Sequence, residues 1–322
     1  MVPLMSVNAF IFPGQGSQSV GMGRDLAAAF AAAREVFEEV DETLRHKLSK
    51  LMFEGPAEEL TLTENAQPAL LAHSMAVLRV LEREGGWRLA DKAAVVAGHS
   101  LGEYSALAAA GAFTVGEAAR LLRLRGQAMQ KAVSPGAGAM AALLGVELDQ
   151  AGEICAAAAE GPEGREVVEI ANDNGGGQVV ISGHRAAIER ALDVAKSRGV
   201  RRAMLLPVSA PFHCALMAPA ADVMAEALAE AALRPPAVPV IANVSAAKVT
   251  EPAAIRALLV RQVTATVRWR ESVAAMMALG VDSFVELGAG KVLAGLVRRI
   301  APDAAAASAG TPAEIETLLK TL

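Results

Sequence analysis

The chain has little cysteine, no excess of positive charge and no long uninterrupted hydrophobic run. Its 322 residues include two cysteines, Cys155 and Cys214, whose separation matches no C-x-x-C pattern and predicts neither a disulfide framework nor a thiolate zinc site. Thirty lysines and arginines stand against 35 aspartates and glutamates, a formal charge of −5. No basic excess is available to neutralise a nucleic-acid backbone, so we expect no nucleic-acid partner.

The N-terminal residues also lack the features of a targeting segment. The sequence MVPLMSVNAFIFPGQG has no positively charged start and reaches Pro13 and Gly14 before an apolar stretch is long enough for a signal peptide or a membrane span. Later alanine-rich stretches are interrupted by charges such as Arg34, Glu35 and Glu226. We therefore expect a cytoplasmic protein without membrane contact.

Short β-rich runs alternate with helical patterns along most of the chain. The composition, 53% hydrophobic and 20% charged, is typical of a globular protein, and the length suggests about two structural units. Alternating strands and helices predict an α/β fold with a parallel sheet. The predicted strands are residues 9–12, 93–97, 238–242 and 283–287, and the predicted helices are residues 65–84, 116–133, 217–233, 252–263 and 267–279. Residues 304–307 are interpreted as a linker or frayed element before a last helix at 312–322.

Residues 134–208 have a different pattern, which begins at SPGAG and ends after Pro207. The predicted order is strand 140–144, helix 149–159, strand 167–171, a turn at NDNGGG, strand 178–181, helix 186–198 and strand 202–206. This βαββαβ order predicts a small ferredoxin-like subdomain. We therefore assign residues 1–133 and 209–322 to a catalytic core and residues 134–208 to an inserted subdomain.

The sharpest motif is Gly98-His99-Ser100-Leu101-Gly102, which follows the predicted strand AAVVA and precedes a helical pattern. A serine on such a tight strand-to-helix turn exposes its hydroxyl beside the positive end of a helix. An ordinary helix N-cap is the competing interpretation of Ser100. The coincidence of strand, two glycines and helix favours a nucleophile.

A nucleophilic serine needs a base, and the chain has five histidines. Four are poor candidates from their surroundings: His46 among charges, His73 within a helix, His184 beside an insert turn and His99 next to the serine itself. His213 lies in the loop PVSAPFHCALM between a predicted strand and a helix. A lone loop histidine is also typical of an exposed surface, and spacing does not decide between these interpretations.

Acyl chemistry needs hydrogen-bond donors for the developing oxyanion, and backbone amides are sufficient. Leu101 is the expected first donor, and a second is expected from the glycine-containing loop after residues 9–12, PGQGSQ. A phosphate loop is the rival interpretation of that loop. Both nucleotide fingerprints fail, because Ser19 stands where G-x-G-x-x-G needs glycine and Met22 where G-x-x-x-x-G-K needs lysine.

Arg125 lies on the apolar stripe of the helix predicted at 116–133, together with Leu121, Leu122 and Met129. An inward-facing cation is costly unless it is paired. Its partner is either an internal carboxylate or a substrate carboxylate, and helical spacing leaves both open.

The segments FPGQGSQ, AGHSLGEYSALAAAGAF, RLRGQAMQ, HCALM and LVRQV together resemble the malonyl-CoA:acyl carrier protein transacylases, of the acyltransferase family shared by fatty-acid and polyketide synthesis. The resemblance covers most of the chain. It implies an α/β-hydrolase-like core with a ferredoxin-like insert, in agreement with the layout above. The motif ELGAG at 286–290 departs from the family's ELGPG at Ala289, where we expect only a local loop change.

By resemblance, Ser100 is the nucleophile, His213 its base, and Gln15 and Leu101 supply the oxyanion-hole amides. Arg125 would bind the free malonyl carboxylate, and the main-chain carbonyl of Gln262 would orient His213 in place of an acid.

The implied reaction moves malonyl from CoA to the phosphopantetheine thiol of acyl carrier protein through a malonyl-serine. It requires no metal or other cofactor, and we expect a monomer. Phe212, beside His213, is expected to narrow the pocket against a methyl branch. A serine thioesterase or hydrolase of related fold is the alternative, and the sequence leaves the choice of fatty-acid or polyketide pathway open.

Overall fold

The computed structural model describes residues 6–162 and 164–322. The strands in these ranges are β1 (Asn8–Phe12), β2 (Ala93–Gly98), β3 (Gly138–Leu144), β4 (Glu160–Gly161), β5 (Gly164–Arg165), β6 (Val168–Gly175), β7 (Gln178–His184), β8 (Arg202–Leu205), β9 (Val240–Ala242), β10 (Ala247–Val249), β11 (Val267–Arg268), β12 (Ser283–Leu287) and β13 (Ala305–Ala309). The helices are α1 (Arg24–Ala29), α2 (Ala31–Leu44), α3 (Leu48–Glu54), α4 (Ala57–Thr61), α5 (Thr63–Gly85), α6 (Leu89–Lys92), α7 (Gly102–Ala109), α8 (Val115–Lys131), α9 (Leu148–Ala158), α10 (Arg185–Ser197), α11 (Ala218–Glu230), α12 (Pro252–Gln262), α13 (Trp269–Ala278), α14 (Val292–Ile300) and α15 (Pro312–Leu319), with a 3₁₀ turn at Ala215–Met217.

The larger sheet has the order β10-β9-β2-β1-β12-β13 and is parallel except at its β10 edge. Strand β1 lies inside it, with Phe10 opposite Val96 of β2 and Val285 of β12. Successive side chains point to opposite faces, so Phe10 and Phe12 enter one core while Ala9 and Ile11 enter another. Burial on both faces explains the continuous apolar run and confirms the predicted parallel sheet.

Helices α5 and α8 pack against each other in the larger core and carry several polar side chains into it, among them Gln67 and Arg125. Helix α8 begins after Thr114, whose hydroxyl accepts a hydrogen bond from the Glu117 amide at 3.1 Å. Its buried face includes Arg125, as its pattern predicts, and α5 buries Gln67. Within the described residues, no helix combines the length and apolarity that crossing a bilayer requires.

The smaller sheet has the order β11-β6-β7-β3-β8. Strands β3, β6, β7 and β8 pair in antiparallel fashion and are connected through α9 and α10, which share a separate apolar core with them. This is the predicted βαββαβ order. The edge strand β11 comes from outside residues 134–208 and pairs in parallel with β6. The division of the chain at 134 and 208 stays a prediction.

Two predicted elements near the smaller sheet are wrong. The turn predicted for NDNGGG is shorter, because β6 continues through Asn172, Asp173 and Asn174 to Gly175. These polar side chains are accommodated in a strand because they find partners: Asp173, for example, accepts a hydrogen bond from Arg270 Nε at 2.9 Å. Residues 267–268 were expected to begin a helix and instead form β11, after which α13 starts at Trp269.

The predicted linker at 304–307 is also wrong. Residues Ala305–Ala309 form β13, an outer strand that pairs in parallel with all of β12. Alanine has little intrinsic preference for strands, so the segment's composition carries no signal. Pairing with β12 supplies the backbone hydrogen bonds that decide its structure.

Candidate active site

Ser100 lies on the tight turn between β2 and α7, with a left-handed φ of 54° that is uncommon for a residue with a side chain. Gly98 and Gly102, which flank this turn, leave no room for a side chain. A Cβ on Gly98 would lie 1.9 Å from the Gly102 carbonyl carbon, and one on Gly102 would lie 2.3 Å from the Phe12 carbonyl oxygen. The chain therefore makes the predicted sharp elbow.

His213 is the histidine that meets the serine, with its Nε2 2.7 Å from Ser100 Oγ. Its Nδ1 lies 2.9 Å from the main-chain oxygen of Gln262. Because a carbonyl oxygen can only accept, the proton is assigned to Nδ1, and Nε2 accepts the hydrogen bond from the serine hydroxyl. The expected contact between Gln262 and His213 is present in this geometry.

Burial keeps the imidazole neutral. Desolvation, followed by the nearby Arg125 cation, lowers the pKa of His213 to about 3. At neutral pH the imidazole is therefore uncharged, and its Nε2, which carries no proton, can accept one from Ser100.

Arg125 is 1% exposed and is held by side-chain oxygens. Nη1 donates to Gln67 Oε1 at 2.7 Å, while Nη2 donates to Gln262 Oε1 at 2.8 Å and to Ser100 Oγ at 3.2 Å. No carboxylate of residues 6–162 or 164–322 forms an ion pair with it. Of the two partners that the sequence left open, the direct internal carboxylate is not found in this part of the chain.

A chain of hydrogen bonds links Arg125 to the loop that carries Gln15. Gln67 Nε2 donates to Thr63 Oγ1, which donates to Gln15 Oε1, each at 2.9 Å. The backbone amides of Gln15 and Leu101 have no hydrogen-bond partner among the described residues. Both amides are therefore available as donors, and their oxyanion role stays a prediction.

Asn243 was missed by sequence reasoning and supports the elbow directly. Its Oδ1 accepts from the Ser100 amide at 2.8 Å, and its Nδ2 donates to the Gly98 carbonyl at 2.7 Å. The only available signal was a polar residue immediately after the buried strand β9, which is a weak one. Asn243 fixes both ends of the strained turn.

Glu103 was also missed, although it is the only charged residue in helix α7. It is 2% exposed, and its Oε2 accepts from the Asn243 amide at 3.0 Å and from Gln262 Nε2 at 2.7 Å. Desolvation raises the pKa of Glu103 to about 7. Gln262 is thus surrounded by Glu103, Arg125 and His213.

These groups meet at a cavity of about 400 Å³, a size suited to a small-molecule ligand. Its wall includes the predicted residues Gln15, Ser100, Leu101, Arg125, Phe212 and His213. Gln262 is fully buried behind this wall, where it contacts Arg125 and His213.

Three of the other four histidines form hydrogen bonds elsewhere. His99 Nε2 lies 2.8 Å from Asn174 Oδ1, His73 Nε2 lies 2.9 Å from the Gly310 carbonyl, and His184 Nδ1 accepts from the Val167 amide. Among the residues with described positions, no group of three or more histidine, cysteine, aspartate or glutamate side chains is arranged to hold a metal ion.

Comparison with known proteins places this geometry in a family. Residues 9–315 match the model of the acyl transferase domain. The malonyl CoA-acyl carrier protein transacylase of Escherichia coli (strain K12) is 46% identical over 316 residues, which cover 98% of this chain and 100% of the relative.

Solved structures agree. The acyl-carrier-protein-S-malonyltransferase of Bartonella henselae is 56% identical, with a TM-score of 0.94 over 98% of this chain and 99% of that one. A malonyl-transacylase solved in complex with its type II PKS acyl-carrier protein is 43% identical, with a TM-score of 0.94 over 98% and 100% of the two chains. The chain described here therefore belongs to the acyl transferase domain family.

Proposed function

We propose that this chain is a malonyl-CoA:acyl carrier protein S-malonyltransferase. One observation carries the proposal: the Ser100 hydroxyl lies 2.7 Å from the ring nitrogen of a neutral buried histidine and 3.2 Å from a buried guanidinium that has no carboxylate partner among the described residues. A nucleophile, a base and a carboxylate-binding cation thus converge on one atom. Relatives that align over nearly the whole chain carry names with this activity.

In the first half-reaction, Ser100 Oγ attacks the malonyl thioester carbonyl while His213 Nε2 takes the hydroxyl proton. The amides of Gln15 and Leu101 donate to the oxyanion of the tetrahedral intermediate. The intermediate collapses with loss of the CoA sulfur, which receives the proton from His213. Malonyl-Ser100 and free CoA result.

In the second half-reaction, the phosphopantetheine thiol of acyl carrier protein attacks the ester of malonyl-Ser100. His213 Nε2 removes the thiol proton and returns it to Ser100 Oγ as the ester bond breaks. Malonyl leaves on the carrier thiol, and the enzyme returns to its starting state. All proton transfers are balanced within the site, so the proposal includes no metal or other cofactor.

Arg125 supplies the preference for an acyl group that ends in a carboxylate. A malonyl carboxylate would form a charge-assisted pair with the guanidinium, whereas acetyl would leave that buried cation without an anion. The alternative, a serine hydrolase of related fold, differs in its acyl acceptor, and the names of the aligned relatives favour transfer. Every group in the site belongs to one chain, which supports action as a monomer.

Intact-protein mass spectrometry tests the proposal. Malonyl-CoA should add one malonyl group to the wild type and none to Ser100→Ala, and holo acyl carrier protein should then remove the adduct and gain the same mass. An adduct that passes to water at the same rate with and without carrier would identify a hydrolase instead. Absence of any adduct would contradict both activities.

Arg125→Ala tests the acyl preference in the same assay. Loss of a charge-assisted pair should slow acylation by malonyl-CoA by about 10- to 100-fold relative to acylation by acetyl-CoA. An unchanged malonyl-to-acetyl ratio would remove Arg125 from the proposed role.

A further inference from the structure

We propose that Glu103 is a positioning residue that fixes the side-chain amide of Gln262, and through it the guanidinium of Arg125, for the acyl carboxylate. The inference rests on the proposed function, since it concerns how that site selects a malonyl group. Glu103 lies on α7, behind the cavity wall, and does not touch the substrate space.

The side-chain amide of Gln262 fits its neighbours in only one of its two orientations. Gln262 Oε1 accepts from Arg125 Nη2 at 2.8 Å, and Gln262 Nε2 donates to Glu103 Oε2 at 2.7 Å. An amide has one accepting end and one donating end, so a flipped Gln262 would turn its NH₂ group towards a guanidinium that can only donate. Glu103 Oε2, at 2.7 Å, and the main-chain oxygen of Ser100, at 3.1 Å, both accept from Nε2 and oppose that flip, and Glu103 supplies the shorter of the two hydrogen bonds.

Glu103 is itself held in place from a second side. Its Oε2 also accepts from the main-chain amide of Asn243 at 3.0 Å, and the Asn243 side chain holds the Ser100 elbow. The same carboxyl group therefore connects the amide that orients Arg125 with the residue that supports the nucleophile.

Gln262 lies between Glu103 and Arg125 and prevents a direct ion pair between them. If Glu103 paired with Arg125, the guanidinium would be neutralised and its fork of donors occupied. With Gln262 between them, Arg125 is oriented by neutral oxygens from Gln262 and Gln67 and keeps its charge for an incoming carboxylate.

The feature of Glu103 that matters is an accepting oxygen at this position and not its negative charge. Burial raises the pKa of Glu103 to about 7, so the neutral carboxyl is readily reached, and a neutral carboxyl still accepts through one oxygen. The amide of a glutamine at this position would present the same acceptor. An aspartate would keep the charge, but its side chain is one methylene shorter and would not reach Gln262 Nε2.

The experiment compares Glu103→Gln with Glu103→Asp. For each, the rates at which malonyl-CoA and acetyl-CoA acylate Ser100 are measured as functions of donor concentration, and the malonyl-to-acetyl ratio of kcat/KM is calculated. We expect Glu103→Gln to keep the wild-type ratio within about threefold and Glu103→Asp to lower it by about tenfold, through a higher KM for malonyl-CoA. A purely structural role would slow both donors equally.

Glu286 provides the matched control, as a second buried glutamate whose carboxylate accepts from two backbone amides, those of Leu293 and Ala294. Its Gln and Asp variants should lower the melting temperature without changing the donor ratio.

The proposal is overturned if Glu103→Asp keeps the wild-type ratio, or if Glu103→Gln loses as much discrimination as Glu103→Asp. Failure of the proposed function gives a different result, because the wild type would then form no malonyl adduct, or would lose its adduct to water at the same rate with and without carrier protein.

Discussion

Ser100 and His213, the pair proposed to exchange a proton, are both held in left-handed backbone conformations, with φ of 54° at Ser100 and 58° at His213. Residues other than glycine rarely adopt these backbone dihedrals, and they keep them only where their surroundings fix the conformation. At Ser100 the surroundings are the two flanking glycines and Asn243. Local strain therefore aims a hydroxyl and an imidazole at each other before any substrate arrives.

Phe212 carries a prediction at the same scale. Its ring lines the cavity beside His213, and we propose that it restricts the space available to a substituent at the malonyl α-carbon. Phe212→Ser should raise the kcat/KM ratio of methylmalonyl-CoA to malonyl-CoA by about tenfold, since one methyl group in a pocket is worth 10-fold or more. The measurement is acylation of Ser100 by each donor, and an unchanged ratio would exclude Phe212 from substrate selection.

Residues with chemically distinctive surroundings could be predicted from the sequence, and residues that support them could not. Ser100 and Arg125 are conspicuous because a motif or a helical stripe isolates them. Glu103, Asn243 and Gln67 act through side-chain contacts between elements that are distant in the chain, and such contacts leave no local pattern.

At the scale of elements, the turn between β2 and α7 gives a prediction about stability. A Cβ at Gly98 would overlap backbone atoms of Gly102 and Glu103, which cannot move away as a flexible side chain can. Gly98→Ala should therefore lower the free energy of unfolding by roughly 3 kcal/mol and abolish acylation of Ser100. The measurement is urea denaturation followed by the mass assay.

Gly152 offers the matched substitution. It lies within α9, and a Cβ there meets nothing within 4 Å. Gly152→Ala should raise the free energy of unfolding by about 0.5–1 kcal/mol, because alanine loses less backbone entropy in a helix. Equal effects of the two substitutions would contradict the steric account of the elbow.

Elements with a strong periodic pattern were predicted correctly, including β12 at its observed bounds and the order of strands and helices in the smaller sheet. The errors fall where a partner strand decides the structure. Strand β13 is made of small residues, β11 has two residues, and the end of β6 is polar. Pairing across the sheet, which single-segment patterns do not contain, fixes all three.

The stability of the whole molecule should depend on pH in two opposite ways. Burial lowers the pKa of His73 to about 4 from an ordinary value of 6.5, so its contribution to stability is present above pH 6.5 and is lost as pH falls towards 4. Burial raises the pKa of Glu103 from 4.5 to about 7. Its contribution is present below pH 4.5 and is lost as pH rises through 7.

Two variants separate these effects in urea denaturation at a series of pH values. Relative to the wild type, His73→Asn should gain on the order of 3 kcal/mol of unfolding free energy as pH falls from 6.5 to 4. Glu103→Gln should gain a similar amount as pH rises from 4.5 to 7. A difference from wild type that does not vary with pH would contradict the assigned burial of either side chain.

The smaller sheet is built from two separate parts of the chain, because its edge strand β11 lies outside residues 134–208. Strand β11 begins a few residues after Gln262, the last residue of α12, whose carbonyl faces His213. It then pairs in parallel with Asn172 and Asp173 of β6. A graft of residues 134–208 into another scaffold would therefore leave its outermost strand behind and expose an unpaired edge. Chimeric enzymes built by exchanging residues 134–208 therefore need a second exchanged segment that includes β11 and ends after Arg268.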